Sequence, residues 1–216
     1  MAPRIFIADD HEVVRKGLRT LLEEAGQTVC GEASNGRDAV SGVLELGAQV
    51  VVMDLAMPDL NGLEATRQIL KHAPKTAVLI LSAQESEELV RQILAAGARG
   101  FVLKTDAARD LLAAVEAVTQ GRPFFSARVA DVVLRGYLRG GATVEEPQPA
   151  SASLTARERE VLQLLAEGQS TKEVASTLDI GIKTAEAHRA NLMRKLGIRS
   201  ISELVRYAIR NRIVEP

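Results

Sequence analysis

Three acidic side chains offer the clearest chemistry in this chain, because each follows a short apolar segment. Asp9 and Asp10 come directly after residues 4–8, Arg-Ile-Phe-Ile-Ala, and Asp54 comes after residues 49–53, Gln-Val-Val-Val-Met. Runs rich in Ile, Val or Phe that end in turn-forming residues predict buried strands of a parallel sheet. Ligands bind beyond the carboxyl ends of such strands, so the three carboxylates are expected to meet at one edge of the sheet.

A site built from several carboxylates predicts a bound divalent cation. Carboxylates held close together raise one another's pKa values unless a cation lies among them. Mg²⁺ prefers oxygen ligands and usually works beside phosphate groups. The three acids therefore predict a Mg²⁺ site and phosphoryl chemistry.

Two further polar residues, Ser82 and Lys104, end the fourth and fifth predicted strands. A hydroxyl and an ammonium at neighbouring strand ends are suitable partners for a phosphorylated carboxylate, because phosphoryl transfer depends mainly on positioning and charge neutralisation. Taken singly, Asp9 could be a helix N-cap, Ser82 a strand-end hydroxyl and Lys104 a solvated lysine. Their joint placement at strand ends favours a functional site.

The elements that must position these side chains alternate regularly through residues 1–121. Further strands are predicted at residues 28–32, 77–81 and 100–103, and helices at residues 12–25, 36–46, 62–72, 86–96 and 107–120. Five strands alternating with five helices predict a flavodoxin-like, doubly wound α/β domain.

The pattern changes after residue 121. Residues 122–153 are predicted to be a linker, with an extra helix at 126–138 that has Ser126 as its N-cap, followed by a stretch rich in Gly, Pro and Ser. Residues 154–216 are predicted to be all helical, beginning with a capping box formed by Thr155 and Glu158. A short helix at 171–178, a tight turn and a longer helix at 182–196 predict a helix-turn-helix, and a last helix follows at 200–211.

Composition limits the class of protein. The chain has 216 residues, enough for one large or two small domains. Residues 1–150 hold 16 Lys/Arg against 20 Asp/Glu, whereas residues 151–216 hold 11 against 8, so the basic half could suit nucleic acid. Cys30 is the only cysteine, which excludes an intramolecular disulfide. Without a signal-peptide pattern or an apolar run of about 18 residues, a soluble cytoplasmic protein with no membrane partner is expected.

With these residues identified, the first 121 residues resemble the receiver domain of two-component response regulators. The matching features are the paired acids, the loop after Asp54 with Met57-Pro58 and Gly62, the hydroxyl at Ser82 and the ammonium at Lys104. The resemblance implies that Asp54 is the phosphoacceptor. It implies that Mg²⁺ is held by Asp9, Asp10, Asp54 and the backbone carbonyl of Ala56. Ser82 and Lys104 would bind the phosphoryl group, and Phe101 takes the position of the switch aromatic.

Residues 154–214 resemble the LuxR-type helix-turn-helix domain. The anchors include Thr155–Leu162, Glu167-Gly168, residues 172–175 and residues 193–197. Departures are Gly181, Ala185 and Ala187, which stand where Ser, Val and Val are common. The resemblance implies DNA contacts from the short helix and the recognition helix: Lys172, Lys183, Thr184, Glu186, Ala187, His188, Arg189, Asn191, Arg194 and Lys195. In the last helix, Ile201, Leu204, Val205 and Ala208 are candidates for a dimer surface, and their apolar stripe is equally explained as bundle core.

Together the two halves resemble a NarL/FixJ-type response regulator. The resemblance implies a DNA-binding transcriptional regulator rather than an enzyme, with self-phosphorylation and self-dephosphorylation at Asp54 as its only chemistry. A histidine kinase or a small phosphodonor would phosphorylate Asp54 with Mg²⁺. Phosphorylation would then change domain packing and promote a homodimer that binds promoter DNA, with RNA polymerase as a further candidate partner.

Other classes fit the residues less well. A phosphotransfer relay whose C-terminal domain binds a protein would lack a salt-dependent affinity for DNA. A Mg²⁺-dependent phosphatase using Asp54 often has a second acid two residues later, where this chain has Ala56. A dinucleotide-binding domain is disfavoured because no Gly-x-Gly-x-x-Gly follows the first strand. A small-molecule sensor would not need the acidic residues and Lys104.

Overall fold

Six parallel strands form one sheet in the N-terminal part of the chain, in the order β2-β1-β3-β4-β5-β6. The computed structural model describes residues 3–131, 154–211 and 213–214, and the chain divides into two compact units, Met1–Thr143 and Val144–Pro216. The strands are β1 Arg4–Ala8, β2 Thr28–Ala33, β3 Val50–Asp54, β4 Ala77–Ser82, β5 Gly100–Leu103 and β6 Phe124–Phe125. The helices that alternate with the first five strands are α1 Glu12–Glu24, α2 Gly36–Leu46, α3 Gly62–His72, α4 Glu87–Ala95 and α5 Ala107–Thr119.

Alternate residues of each strand pack against opposite helical layers, which gives two cores. Phe6, Val51 and Ile80 belong to one buried cluster together with residues of α2, α3 and α4. Ile5, Val52 and Leu81 belong to the other, with residues of α1 and α5. Both faces of the sheet are therefore covered, as expected for parallel strands that are apolar throughout. The prediction of a flavodoxin-like, doubly wound domain is confirmed.

The sequence predicted five strands, whereas the sheet has a sixth, β6. Phe124 and Phe125 pair with Gly100 and Phe101 of β5 in parallel register. A two-residue strand is too short to show an alternating apolar pattern, so the sequence does not predict β6.

Part of the predicted linker belongs to the N-terminal unit. Residues 127–131 are helical, and Val129 is fully buried in the same core as Phe101. The hydroxyl oxygen of Ser126, the predicted N-cap, is buried and makes no hydrogen bond among the described residues. The rest of the predicted linker helix and the Gly/Pro/Ser-rich stretch lie outside the described residues. The domain limits at residues 121 and 153 stay predictions.

Within residues 154–211, the C-terminal unit has four helices: α6 Ala156–Ala166, α7 Thr171–Thr177, α8 Ile182–Leu196 and α9 Ile201–Arg210. Leu162, Val174 and Leu192 lie in their shared core. The predicted capping box of Thr155 and Glu158 is present at the start of α6. Among the described helices of the chain, none is both long enough and apolar enough to cross a membrane.

Gly62 lets α3 begin directly against the end of β3. Its backbone N–H donates to the carbonyl of Leu55 at 2.9 Å. A Cβ atom at this position would lie 1.9 Å from the backbone oxygen of Asp54. Only glycine fits this close approach without displacing the residues around Asp54.

We expect Gly62→Ala to lower the free energy of unfolding by about 1–3 kcal/mol or more, because the added methyl group must push helix and strand apart. The matched control is Gly17→Ala in the middle of α1, where an added Cβ meets no atom within 4 Å. That change should stabilise the chain by up to about 1 kcal/mol, since alanine is the better helix former. Thermal and urea unfolding of both variants beside wild type measure the difference. Equal stability of the two variants would contradict this account of Gly62.

Candidate functional site

The carboxyl ends of β1, β3 and β5 bring two buried carboxylates and one ammonium together. Nζ of Lys104 lies 2.8 Å from Oδ2 of Asp9 and 2.9 Å from Oδ2 of Asp54. The side chain of Asp9 is 0% exposed and that of Asp54 is 2% exposed. The other oxygen of Asp54, Oδ1, accepts a hydrogen bond from the backbone N–H of Leu55 at 2.8 Å. The structure thus brings together residues predicted from three separate strands.

Burial and, after it, the neighbouring negative charge of Asp9 raise the pKa of Asp54 to about 6, against the opposing effect of Lys104. Burial alone would lower the pKa of Lys104, but its hydrogen bond to Asp9 and the charge of Asp54 outweigh burial, so that its pKa is raised. Lys104 therefore stays charged near neutral pH. A single ammonium does not balance two buried carboxylates, so the site retains an unfavourable negative charge.

Asp10 and His11 complete an acidic cluster at the rim of the site. Nδ1 of His11 lies 2.7 Å from Oδ1 of Asp10 and 3.4 Å from Oδ1 of Asp9. Donor atoms of Asp9, Asp10, His11 and Asp54 all lie within 4.8 Å of one another. This donor set fits a divalent cation, because the excess negative charge calls for one and carboxylate oxygens are ligands of Mg²⁺.

His11 was missed by the sequence reasoning. The available signal was its position directly after Asp10, since an imidazole beside carboxylates is a possible metal donor. Arg15 holds the loop that carries these residues: its Nη1 donates to the backbone oxygens of Asp9 at 2.7 Å and Asp10 at 3.2 Å. The loop after β1 is thereby fixed at the edge of the sheet where the carboxylates meet.

The remaining predicted residues of this site differ in exposure. Ser82 is buried at the end of β4, where its hydroxyl donates to the carbonyl of Gln84 at 2.9 Å and accepts from the Gln84 N–H at 3.1 Å. Ala56 is half-buried in the bend after β3. Phe101 is 0% exposed, with its ring in the core. The roles of Ser82, Ala56 and Phe101 stay predictions.

The helix-turn-helix of the C-terminal unit presents one face of α8 to solvent. Lys183, Thr184, Glu186 and Ala187 are exposed, whereas Ala185 is fully buried in the core. Of the two alanine departures noted in the sequence, Ala185 is thus a packing residue and Ala187 a surface residue. Lys172 on α7 is also exposed.

Several predicted DNA contacts also make intramolecular bonds. Nζ of Lys195 lies 2.7 Å from Oε2 of Glu158, the capping-box residue of α6. Nη1 of Arg189 donates to Oγ1 of Thr171 at 2.9 Å, which ties α8 to α7. Nη2 of Arg194 donates to Oδ1 of Asn191 at 2.9 Å, while His188 is half-buried. Lys195 therefore links α8 to α6 through its ion pair with Glu158.

Ile182, at the first position of α8, was not predicted as a contact, yet it is 48% exposed. The helix has Gly181 as its N-cap, and no side chain caps it, as the sequence indicated. The apolar periodicity of a helix does not say whether its first residue faces the core or solvent. The hydrophobicity of Ile182 therefore did not predict that it lies on the surface.

Two of the four dimer candidates on α9 need correction. Leu204 and Ala208 are 0% exposed and lie inside the bundle of their own domain. They cannot meet a partner while that core is intact. Ile201 is exposed and Val205 is half-buried, so these are the two of the four candidates that keep accessible surface.

We expect Asp54→Asn to raise the free energy of unfolding at pH 8, in the absence of divalent cations. The pKa of Asp54 is raised on folding, so its effect on stability is most favourable at low pH and is lost as pH rises through about 6. A shift from 3.8 to about 6 corresponds to about 3 kcal/mol as an upper value. The difference in free energy of unfolding between Asp54→Asn and wild type should vanish near pH 4. At pH 8, added Mg²⁺ should make this difference smaller.

Urea unfolding at pH 4, 6 and 8 measures the difference between Asp54→Asn and wild type. The control is Asp131→Asn, which removes an exposed carboxylate and should change stability little at any of these pH values. An Asp54→Asn variant that is less stable than wild type at pH 8 would show that the carboxylate is favourable in the folded state.

Two family models match the chain. The response regulator receiver domain matches residues 5–116, and the bacterial regulatory proteins of the luxR family match residues 152–208. The transcriptional regulatory protein LiaR of Bacillus subtilis (strain 168) is 37% identical over 212 residues, covering 98% of this chain and 99% of LiaR. The oxygen regulatory protein NreC of Staphylococcus epidermidis is 35% identical over 216 residues, covering 98% of this chain and 99% of NreC.

Solved structures agree with these matches. A two-component response regulator of the LuxR family from Aurantimonas sp. SI85-9A1 is 32% identical with a TM-score of 0.62, covering 64% of this chain and 99% of that one. RcsB in complex with DNA is 28% identical with a TM-score of 0.59, covering 96% and 98%. A structure of two RcsB dimers bound to two parallel DNAs has the same identity, TM-score and coverage. The chain therefore belongs to the two-component response regulators of the NarL/FixJ type, DNA-binding transcriptional regulators that pair a receiver domain with a LuxR-type helix-turn-helix domain.

Proposed function

We propose that Asp54 accepts a phosphoryl group from a histidine kinase or a small phosphodonor, and that this modification controls DNA binding. The observation that carries the proposal is the buried Asp54 carboxylate, held 2.9 Å from Lys104 beside the acidic cluster. Asp9, Asp10, Asp54 and the Ala56 carbonyl would hold Mg²⁺, which supplies positive charge to the transferring phosphoryl group.

The protein residues orient and neutralise the reacting groups. The Leu55 N–H holds one oxygen of Asp54, while the other oxygen faces Lys104. The Lys104 ammonium would move towards the negative charge of the phosphoryl group and form an ion pair with its oxygens. The Ser82 hydroxyl would leave its hydrogen bond to Gln84 and donate to the phosphoryl group instead. The loop after β4 would then rearrange with Ser82.

Release of the phosphoryl group by water would return the receiver to its resting state. Self-phosphorylation and self-dephosphorylation at Asp54 would thus be the only reactions of this chain. This chemistry would set the lifetime of the signal and would release only inorganic phosphate, in keeping with a regulator.

The signal would be read as DNA binding by a dimer. RcsB, a solved relative of similar fold, is seen as dimers bound to DNA. In this chain the exposed face of α8 would enter the major groove, with Lys183 and Lys172 near backbone phosphates and Thr184, Glu186 and Ala187 towards the bases. Promoter DNA would be the ligand, RNA polymerase a further partner, and the bacterial cytoplasm the site of action.

We expect Mg²⁺ with beryllofluoride, a phosphoryl mimic, to convert wild type from a smaller species to a dimer, because the mimic occupies the phosphoryl position on Asp54. Light scattering coupled to size exclusion measures the solution mass. Asp54→Ala should show no change under the same conditions. An identical mass for wild type with and without the mimic would exclude phosphorylation-driven dimerisation.

Lys183→Ala and Lys195→Ala should separate DNA contact from fold stability. Lys183 is exposed, so its removal should weaken binding to a mixed-sequence duplex and reduce the salt dependence by about one counterion, without loss of stability. Lys195 contacts the nearly buried Glu158, so its removal should lower the stability of the C-terminal unit by about 1 kcal/mol.

Fluorescence anisotropy across a salt series and thermal unfolding measure the two effects. A Lys183→Ala variant with unchanged DNA affinity would remove α8 from the proposed interface. Wild type without any salt-dependent affinity for DNA would favour a C-terminal domain that binds protein.

A further inference from the structure

His11 is an imidazole placed among the carboxylates of the proposed Mg²⁺ site. Its Nδ1 lies 2.7 Å from an oxygen of Asp10 and 3.4 Å from an oxygen of Asp9. Its side chain is 61% exposed, so the ring has room to adjust and can be reached from solvent. The family assignment of the metal site involves carboxylates and a backbone carbonyl, and it leaves this imidazole without a role.

We propose that His11 is a nitrogen ligand that lets this receiver bind divalent transition-metal ions, of the Ni²⁺, Co²⁺ or Zn²⁺ class, in competition with Mg²⁺. The proposal rests on the metal site proposed above and adds a donor atom to it. Its consequence is a receiver whose metal occupancy, and therefore readiness for phosphorylation, depends on the supply of transition-metal ions.

The geometry fits a shared cation. The 2.7 Å between Nδ1 of His11 and Oδ1 of Asp10 is a hydrogen-bond distance, so these two atoms already face each other. A metal ion that both atoms ligate would replace that hydrogen bond. Asp9, Asp10, His11 and Asp54 each offer one donor atom within 4.8 Å of the others, which is a compact enough set for one ion.

The donor types decide the metal preference. Mg²⁺ is a hard cation that prefers oxygen and gains little from an imidazole. Imidazole is a good ligand of Zn²⁺, Cu²⁺ and Ni²⁺. At sites that combine nitrogen and oxygen ligands, these ions generally bind more tightly than Mn²⁺ or Fe²⁺. Three carboxylates with one imidazole form such a mixed site, so His11 should raise affinity for transition metals far more than affinity for Mg²⁺.

The loop is suited to hold the ring in this position. His11 is the N-cap of α1, and its backbone N–H donates to Oδ1 of Asp9 at 2.9 Å. Its side chain caps no backbone N–H of the helix. The ring therefore does not cap the start of α1. Asparagine is a good N-cap residue, so His11→Asn should leave the fold intact.

The alternative role is indirect: His11 could orient Asp10 by a hydrogen bond while never touching the metal. A positioning role of this kind would affect Mg²⁺ and Ni²⁺ alike, because both ions would use the same Asp10 oxygen. A ligand role affects Ni²⁺ selectively. The two roles are therefore distinguished by comparing the two metals in the same variant.

The experiment is calorimetric titration of the full-length chain with Ni²⁺ alone, with Mg²⁺ alone, and with Ni²⁺ in the presence of excess Mg²⁺. For His11→Asn we expect about a tenfold or greater loss of Ni²⁺ affinity and less than about a threefold change for Mg²⁺. His72→Asn and His188→Asn are matched controls, since they remove the other two imidazoles of the chain and should leave the Ni²⁺ affinity of this site unchanged.

A spectroscopic readout identifies the donor directly. Pulsed electron paramagnetic resonance of the chain loaded with one equivalent of Cu²⁺ should show imidazole nitrogen coupling in wild type and in both control variants, and its loss in His11→Asn. Equal losses of Ni²⁺ and Mg²⁺ affinity in His11→Asn, or nitrogen coupling that persists in it, would overturn the ligand role. Wild type that binds neither metal would instead refute the metal site of the proposed function.

Discussion

The contact on which the receiver depends is the Lys104 ammonium lodged between the carboxylates of Asp9 and Asp54. Burial makes every charge in this group costly, and the short distances to Lys104 offset part of that cost, together with backbone hydrogen bonds to each carboxylate. Strands β1, β3 and β5 must all end at this point for the three side chains to meet. The order of the sheet, the loop held by Arg15 and the glycine at the start of α3 each serve this convergence.

An incompletely neutralised site is suited to binding and release. If two ammonium groups opposed the two carboxylates, the site would be stable without a ligand and would gain little from a cation. With one ammonium, the excess negative charge favours binding of a cation, and a bound cation would in turn offset the charge of the proposed phosphoryl group. Burial and the charge of Asp9, which Lys104 opposes only in part, also raise the pKa of Asp54, so the ionised form of this carboxyl group is disfavoured in the folded protein.

Sequence reasoning predicted most of this site because parallel strands place their carboxyl ends at a common edge. Asp9, Asp54 and Lys104 are more than 40 residues apart, yet the strand pattern was enough to bring them together. His11 escaped notice because it sits on a loop, where no periodicity assigns a direction to a side chain. Lys195 and Leu204 show a different limit, since a helix residue can face either solvent or a neighbouring helix. The structure resolves that choice through the Glu158 ion pair and through burial.

The two-residue strand β6 has a consequence for the edge of the sheet. The backbone N–H groups of Phe124 and Ser126 donate to the carbonyls of Arg99 and Phe101. These hydrogen bonds pair backbone groups along the outer edge of β5. An uncovered strand edge is a template on which another chain can pair, and such pairing leads to aggregation. A receiver that stopped at Gly121 would expose that edge together with the apolar surface that Phe125 covers. Phe124 and Phe125 therefore protect the colloidal stability of the receiver, although they lie beyond its last long helix.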